Sequence, residues 1–406
     1  MSASLSDREL RLTRAIESRA QAMLDDLRLC VALPTGFNNA AGLDELRSIV
    51  TGRLAALGAK VTLVPGDDRP DWLFGADRVT GSPPPTAVCA RLREDAQTRV
   101  LLASHLDTVF DPACDFRELT ISADGRRATG PGCVDMKGGF IIALHALEAL
   151  EEAGVDASWT YAFNSDEEMG SFHSQGAIAD LARKHDVGLA TEPALPDGAL
   201  AIERNGSGSF RIDAFGKSAH VGRAFAEGVS AVTALAQAIV EVGNIASAPP
   251  GHIASVGPIV GGPATNIVPD HAVCWGNARY ATQEEADVIG DRLDALATAG
   301  DALPRVQVRR SFNRPPKPEI PATRALALRA RQAAEDLGQH LPFASTGGVC
   351  DGNNMQAAGL PTIDTLGVRG GGLHTTDEWI DLTSLVERAS LLAILMARLS
   401  DEPFTA

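Results

Sequence analysis

Residues 99–106 read RVLLASHL, a short and nearly continuous apolar run of the kind found in strands buried on both faces of a sheet. A second run of this kind, WTYAFN, follows at residues 159–164. Between the two runs, residues 136–150 have apolar residues at helical spacing, and Gly138 and Gly139 open that helix. Strand, helix and strand in this order predict a parallel sheet with helices on its faces, which is an α/β fold.

The chain on both sides of this unit continues the same layered pattern. Upstream, residues 5–29 and residues 43–57 have apolar residues at helical spacing among charges, and they predict outer helices of the layer. Downstream, residues 187–190 form another short apolar run, and residues 322–337 and 382–399 predict further helices. Both parts of the chain are therefore expected to belong to the α/β unit.

The middle of the chain has a different pattern. Its elements occur in the order β-α-β-β-α-β, which is the signature of a ferredoxin-like sandwich. The strands are expected at residues 209–215, 253–259, 272–280 and 305–311, and the helices at residues 224–242 and 283–297. The proline-rich stretch at residues 313–321 then returns the chain to the α/β unit.

Two domains are expected from the length of 406 residues, because one hydrophobic core rarely serves a chain of this size. We predict a sheet-and-helix domain formed by residues 1–206 and 315–406. The ferredoxin-like domain, residues 207–314, is predicted to be inserted between these two halves.

Charge and composition argue against several partners and locations. The net charge of −16 disfavours nucleic acid and an anionic membrane surface, because both are bound through clustered Lys and Arg. The six cysteines form no C-x-x-C pair and predict free thiols in a reducing cytoplasm. The sequence shows no secretory signal and no run of about 18 uncharged apolar residues. We therefore expect a soluble cytoplasmic protein.

Five polar clusters follow predicted strands or turns, which is where open α/β sheets place their ligands. In the first, His105 and Asp107 are two residues apart and lie on one face of an extended segment. One of them could bind a metal ion while the other orients it. In the second, Asp135 lies in a glycine-rich loop that enters a helix. If Asp135 has no functional role, the alternative is that its side chain caps the N-terminus of this helix.

The third cluster has three consecutive carboxylates, Asp166, Glu167 and Glu168, directly after the second apolar strand. Without cations nearby, repulsion and desolvation would raise the pKa values of these groups and destabilise the fold. A solvated acidic loop is the structural alternative. The last two clusters supply Glu192, after residues 187–190, and His374, before the final helix.

Together the clusters supply two histidines, one aspartate and two glutamates from five separate parts of the chain. This donor set is of the borderline kind that zinc accepts, and its oxygen donors also suit cobalt or manganese. The sequence therefore predicts a divalent metal centre.

With these motifs the chain resembles the zinc-dependent family that includes glutamate carboxypeptidase, aminoacylase, acetylornithine deacetylase and succinyl-diaminopimelate desuccinylase. The matching segments are SHLDTV (104–109), GPGCVDMKGG (130–139), FNSDEEMGS (163–171), TEP (191–193), GKSAH (216–220), GGPATNIVP (261–269) and LHTTDEW (373–379). The acidic and TEP segments most resemble the glutamate carboxypeptidase branch.

The resemblance implies a site for two zinc ions with one shared ligand. The expected ligands are Asp135 between the two ions, His105 and Glu192 on one ion, and Glu168 and His374 on the other. Asp107 would orient His105, and the peptide bond after Asp135 would be cis.

The same resemblance implies catalytic and substrate-binding residues. Glu167 would be the general base, and His220 of the inserted domain would stabilise the oxyanion in the active site of the partner of a homodimer. Asn266, Arg314 and Arg279 would bind a substrate carboxylate, for which the planar fork of arginine is well suited. Each of these residues also has an interpretation without a functional role. His220 would contact a loop carbonyl, Arg314 would be a solvated charge, and Arg279 would pair with a neighbouring carboxylate.

The leading hypothesis is metal-dependent hydrolysis of the amide bond of an N-acyl amino acid or dipeptide-like substrate with a free carboxylate, with C-terminal Glu or Asp as a candidate. A deacetylase or desuccinylase of an acylated amino-acid metabolite would use the same centre. A third hypothesis is a non-catalytic amino-acid- or peptide-binding protein of the same fold. Loss of the base or of a ligand would favour that third hypothesis, and all six of these residues are present.

Overall fold

A computed structural model gives the structure of residues 5–76, 81–246 and 252–405. The first part of the chain alternates between helices and strands, as its apolar pattern predicts. In chain order its elements are α1 (Asp7–Glu17), α2 (Ala20–Ala32), α3 (Ala40–Ala56), β1 (Lys60–Val64), β2 (Thr86–Arg91), β3 (Arg99–His105), β4 (Thr120–Ile121), β5 (Arg127–Thr129), a π-helical turn (Cys133–Lys137), α4 (Gly138–Glu152), β6 (Ser158–Asn164), α5 (Gln175–Ala182), β7 (Val187–Ala190) and β8 (Leu200–Arg204).

The middle of the chain forms a second unit. Its elements are β9 (Gly206–Phe215), β10 (Ala219–His220), α6 (Val221–Ala224), a 3-10 turn (Phe225–Glu227), α7 (Ala231–Ala246), β11 (Ile253–Gly261), β12 (Ile267–Val268), β13 (His271–Tyr280), α8 (Gln283–Asp294) and β14 (Arg305–Arg314). Four strands form an antiparallel sheet in the order β11-β13-β9-β14, and α7 and α8 pack against it. This is the strand order of a ferredoxin-like sandwich, with the β-α-β-β-α-β sequence of elements that the pattern predicts.

The last part of the chain returns to the first unit. Its elements are α9 (Pro321–Asp336), β15 (Phe343–Thr346), α10 (Asp351–Ala357), β16 (Thr362–Ile363), β17 (Gly370–Gly371), β18 (Trp379–Asp381) and α11 (Thr383–Asp401). The helix α11 packs against α1 and α4, so both ends of the described chain share one layer of helices.

The main sheet has six strands in the order β1-β2-β6-β3-β7-β16. Its strands β6, β3, β7 and β16 are parallel, which confirms the predicted parallel sheet. The strands β1 and β2 extend one edge in antiparallel orientation, and the apolar pattern had not predicted them.

Buried apolar side chains form separate clusters in the two units. The larger cluster includes Phe140 of α4 and Tyr161 of β6, and the second includes Phe210 of β9 and Tyr280 of β13. This separation supports a division of the chain near residues 206 and 314, and the exact domain bounds stay a prediction. Within the described ranges, none of the helices is both long and apolar enough to cross a membrane.

Two predicted helices differ from the observed ones. The helical pattern of residues 5–29 is two helices, because Arg19 leaves the helical conformation between α1 and α2. The helix predicted at residues 224–242 begins only at Ala231. Its start is fixed by Ser230, whose hydroxyl accepts the N–H of Thr233 in the manner of an N-cap.

Candidate metal centre

The predicted ligands converge at the carboxyl edge of the parallel strands. His105 is the last residue of β3, Glu192 follows β7, and Glu168 lies in the loop after β6. Asp135 lies in the π-helical turn that precedes α4, and His374 lies between β17 and β18. Neighbouring parallel strands end at the same edge of a sheet, so residues far apart in sequence meet there.

A first group of three donors is buried in the protein. Ligand atoms of His105, Asp135 and Glu192 all lie within 4.8 Å of one another. The Nε2 atom of His105 is 3.2 Å from Oδ1 of Asp135 and 3.9 Å from Oε2 of Glu192. These distances leave room for one cation among the three side chains.

A second group of three donors shares Asp135 with the first. Its members are Asp135, Glu168 and His374. The Nε2 atom of His374 is 3.2 Å from Oε2 of Glu168 and 3.6 Å from Oδ2 of Asp135, so Asp135 presents one oxygen to each group. His374 has a φ of 62°, in the left-handed region where non-glycine residues are uncommon and often functional.

The loop that carries Asp135 is held by Glu378. The buried Glu378 carboxylate accepts the N–H groups of Gly132, Val134 and Asp135 at 2.9–3.0 Å. Burial raises the pKa of Glu378 to about 7. The peptide bond between Asp135 and Met136 is cis, which confirms that prediction. Glu378 lies in the LHTTDEW segment, although its role was not predicted.

Asp107 contacts both His105 and the acidic loop. The Nδ1 atom of His105 is 2.9 Å from the carbonyl oxygen of Asp107 and 3.5 Å from its carboxylate. This contact favours a proton on Nδ1. The Nε2 atom, which faces Asp135, then carries no proton and has its lone pair free to bind a metal ion. The Asp107 carboxylate accepts the N–H groups of Glu167 and Glu168, at 3.2 and 2.9 Å. Asp107 therefore orients the imidazole mainly through its backbone carbonyl and positions the acidic loop through its carboxylate.

The pKa values in the centre reflect crowded carboxylates. Burial raises the pKa of Glu168, and it raises that of Glu192 far above the usual range. Burial acts in the same direction on Asp135, but contacts with His105 and His374 hold the pKa of Asp135 below its usual value. Three carboxylates thus converge on two imidazoles. A centre with this charge and these donors fits divalent cations.

Glu167 lies beside the two groups, and Arg314 contacts it. The Nη2 atom of Arg314 is 2.6 Å from Oε1 of Glu167, and its Nη1 atom is 2.8 Å from Oδ1 of Asp351. Burial raises the pKa of Glu167 to about 8, although Arg314 opposes this shift. The Arg314 guanidinium is buried rather than solvated, and two protein carboxylates already share its charge. Its predicted binding of a substrate carboxylate stays a prediction, and it requires a rearrangement of these pairs.

A cleft of about 680 Å³ opens in front of the donors. Residues of both units line it, including Glu167, His374, Ser207 and Arg279. Arg279 lies on β13 opposite Ser207 of β9, and its Nη1 atom is buried without a hydrogen-bond partner in the described part of the chain. Because no carboxylate of the described residues forms an ion pair with it, Arg279 is available to a bound anion.

His220 and Asn266 lie elsewhere on the inserted unit. His220 is in the small β10–β12 ladder, and Asn266 directly precedes β12. Both residues are exposed, and neither is among the residues that line the cleft. The Nδ1 atom of His220 accepts the N–H of Gly222, and the carbonyl of Asn266 accepts the N–H of Val221. Within one chain, the described structure does not bring them to the metal centre. Their action in the site of a partner stays a prediction.

Most of the chain is similar to a known family of proteins. Residues 101–398 match the sequence profile of Peptidase family M20/M25/M40. The chain belongs to this peptidase family. The resemblance inferred from the motifs is thereby confirmed.

Two relatives of the M20/M25/M40 family are similar over most of their length. Carboxypeptidase G2 of Pseudomonas sp. (strain RS-16) is 28% identical over 396 residues, which cover 95% of this chain and 91% of that protein. Succinyl-diaminopimelate desuccinylase of Methylorubrum populi is 28% identical over 286 residues, which cover 66% of this chain and 73% of that protein. Membership of the family makes the protein a metal-dependent hydrolase.

A solved structure shows that the fold is shared. A tripeptidase from Staphylococcus aureus superposes with a TM-score of 0.75 at 23% identity and covers 94% of this chain and 99% of its own. The α/β architecture of this M20/M25/M40 protein is therefore that of its family.

A buried charged network beside the cleft was not predicted from the sequence. Arg204, which lines the cleft, is 2.7 Å from Asp364, and Lys317 is 3.1 Å from the same carboxylate. These residues come from β8 and from two loops of the last part of the chain. Their spacing in sequence carries no motif, so only the fold reveals that they meet.

Proposed function

We propose that this protein is a dizinc amidohydrolase that cleaves the amide bond of an N-acyl amino acid or dipeptide-like substrate next to a free carboxylate. One observation carries the proposal. The two donor groups share Asp135 and face the same cleft as Glu167 and the unpaired guanidinium of Arg279. A carboxylate base, a cation site and an anion-binding group are thereby close enough to act on one small substrate.

The residues of the chain suggest separate roles for the metal ions and for Glu167 in hydrolysis. Two divalent ions held by the two donor groups would act as Lewis acids towards water and the amide carbonyl. Zinc suits these donors best, and cobalt and manganese fit them as well. Glu167 takes the proton from the attacking water and returns it to the leaving amine.

Two classes of substrate fit this arrangement. One is an amide with a C-terminal Glu or Asp, which the similarity to a carboxypeptidase supports. The other is an acylated amino-acid metabolite, which the similarity to a desuccinylase supports. Both classes have a free carboxylate that Arg279 can bind through two parallel hydrogen bonds.

A metal and substrate screen tests the function. Purified protein is reconstituted with zinc, cobalt or manganese, its metal content is measured, and release of free amine is followed with N-acyl amino acids and dipeptides. We expect two equivalents of metal per chain and hydrolysis of at least one of these amides. Protein that retains no metal, or that cleaves none of these amides with any of the three ions, would refute the proposal.

Arg279→Gln is expected to lower kcat/KM for substrates with a free carboxylate about 10- to 100-fold, because a charge-assisted hydrogen bond contributes about 1.5–3 kcal/mol. The loss should be mainly in KM, since the contact is made equally in the ground state and the transition state. The measurement compares a substrate with its analogue in which the carboxylate is blocked as an amide. Arg292→Gln on α8 is the matched control. An equal loss for both substrates would contradict a carboxylate-binding role.

We also propose that the inserted unit, residues 207–314, forms a homodimer, and that the protein works in the cytoplasm. Apolar side chains are exposed around His220, among them Val221, Phe225 and Ile267. The strand β11 lies at an edge of its sheet and also exposes apolar side chains. A second copy of the chain would cover this surface and bring His220 near a cleft that His220 of the same chain does not line.

Mixing two inactive variants tests this arrangement. Glu167→Gln lacks the base and His220→Ala lacks the oxyanion donor, so each homodimer is expected to be nearly inactive. A heterodimer has one complete site if His220 acts in the partner's cleft. After subunit exchange we therefore expect about a quarter of wild-type activity, because half the dimers are mixed and half of their sites are complete. If the activity of the mixture did not exceed that of the two separate variants, this would argue against the role of His220 in the partner's cleft.

A further inference from the structure

Residues 65–76 form a strap that joins the two units at the edge of the cleft. On the α/β side, His173 holds it with both ring nitrogens. Its Nε2 atom accepts the N–H of Gly66 at 3.2 Å, and its Nδ1 atom is 2.9 Å from the carbonyl oxygen of Asp67. A Cβ atom at Gly66 would lie 1.8 Å from the carbonyl oxygen of His173, so only glycine permits this close approach.

On the other side, the strap is attached to the inserted unit. The Nε1–H of Trp275, on β13, donates to the carbonyl oxygen of Trp72 at 2.8 Å. The Trp275 ring also packs edge-on against Phe74, with the ring centroids 5.5 Å apart. The strap is therefore fixed at both ends, and residues 68–71 lie between these contacts.

Arg69 lies between these contacts, and the described structure leaves its charge unpaired. Arg69 lines the cleft, and its Nε and Nη1 atoms are buried without a hydrogen-bond partner. Its Nη2 atom makes one long contact, 3.4 Å to the carbonyl oxygen of Phe74. No carboxylate of the described residues lies within ion-pair distance of it. Burial lowers the pKa of Arg69, and Asp166 opposes that shift. Arg69 as a whole is half-buried, and a partly desolvated cation whose Nε and Nη1 atoms have no partner among the described residues favours a bound anion.

Arg69 and Arg279 lie along the same wall of the cleft. Arg279 is opposite Ser207 of β9, and Arg69 shares a small recess with Ser209 of the same strand. Ser207 and Ser209 are alternate residues on one face of β9, so they are about 7 Å apart. The two guanidinium groups are therefore expected to meet different parts of a bound substrate in the cleft that the candidate metal ligands also line.

We propose that Arg69 binds a second anionic group of the substrate, so that this enzyme prefers amides with two carboxylates. Arg279 holds one carboxylate and Arg69 holds the other. This inference rests on the proposed amide hydrolysis and names its substrate class. The second carboxylate can belong to the amino-acid side chain or to the acyl group, because both extend from the scissile bond along the cleft.

Three substrates test the inference, two of which extend the first by one CH2–COO⁻ group. N-acetylalanine has one carboxylate, N-acetylglutamate adds one on the amine side, and N-succinylalanine adds one on the acyl side. We expect zinc-loaded wild-type enzyme to favour one of the two dianions over N-acetylalanine by about 10- to 100-fold in kcat/KM. The favoured dianion identifies the side of the scissile bond that faces Arg69.

Variants of Arg69 show whether its charge binds the substrate or whether its side chain only stabilises the fold. Arg69→Gln should remove most of that preference, mainly through KM, and Arg69→Lys should restore part of it because it keeps the charge without the planar fork. Arg183→Gln, at an exposed arginine that directly follows α5, should leave the preference unchanged. The dissociation constant of the favoured dianion, measured in the Glu167→Gln background, should rise with Arg69→Gln.

The outcomes distinguish this inference from the proposed function. Wild-type enzyme that cleaves the amides without preferring either dianion overturns the role of Arg69 and leaves the amidohydrolase intact. The role of Arg69 is also overturned if the preference for a dianion survives Arg69→Gln, or if Arg69→Gln lowers kcat/KM equally for all three substrates. Failure of the metal-loaded enzyme to cleave any amide in this set or in the wider screen overturns the proposed function itself.

Discussion

Replacing Glu167 with glutamine should lower kcat about 10²- to 10⁴-fold, the usual contribution of a positioned acid–base group. Glutamine keeps the shape of the side chain and an oxygen that can accept from Arg314, but it cannot take a proton from water. Glu167 is in neither of the two donor groups, so the variant should still bind two metal ions. Metal content and kcat measured on the same sample check both expectations.

The control for this variant is Asp351→Asn. Arg314 pairs with both Glu167 and Asp351, so either substitution disturbs the same guanidinium. Only Glu167 is expected to exchange a proton with the substrate, and Asp351→Asn should therefore lose much less activity. Equal losses in the two variants would mean that the disturbed Arg314, rather than a missing base, explains the effect. A Glu167→Gln variant with normal kcat would exclude the mechanism.

The donors were predictable because each directly follows a recognisable element. His105 ends an apolar strand, and Glu168 and Glu192 follow two others, so the rule that parallel strands end at one edge places them together. Asp135 was identified through its glycine-rich loop. The local sequence therefore indicated which candidate donors would meet, because these side chains lie at the ends of regular elements. Their binding of metal stays a prediction.

Other features of the site depend on contacts that no local pattern encodes. Asp107 was expected to act through its carboxylate, yet its carbonyl oxygen is the closer partner of His105. Arg314 was expected to face the substrate, yet the fold places it between two carboxylates. Arg69 lies in an irregular segment, and only its tertiary contacts show that it reaches the cleft.

Asp135→Asn should weaken metal binding at both positions at once, which no other single substitution in the centre should do. The two oxygens of Asp135 face different donor groups, Oδ1 towards His105 and Oδ2 towards His374. Asparagine keeps the size of the side chain but has one oxygen and no charge. Even outer hydrogen-bond partners of a metal site contribute 10- to 100-fold to affinity, so loss of the shared ligand should cost more than ~100-fold. Bound metal should fall from two equivalents to less than one.

Two matched variants decide whether Asp135 is shared. Glu192→Gln removes a donor from the first group alone, and Glu168→Gln removes one from the second alone. Each should therefore retain about one equivalent of metal under conditions in which Asp135→Asn retains less. Titration of chelator-treated protein with zinc, followed by calorimetry, gives the stoichiometry of all three variants. If Asp135→Asn lost a single ion, as the two glutamate variants should, Asp135 would serve one site only. The two donor groups would then be independent, because Asp135 is the member that they share among the described residues.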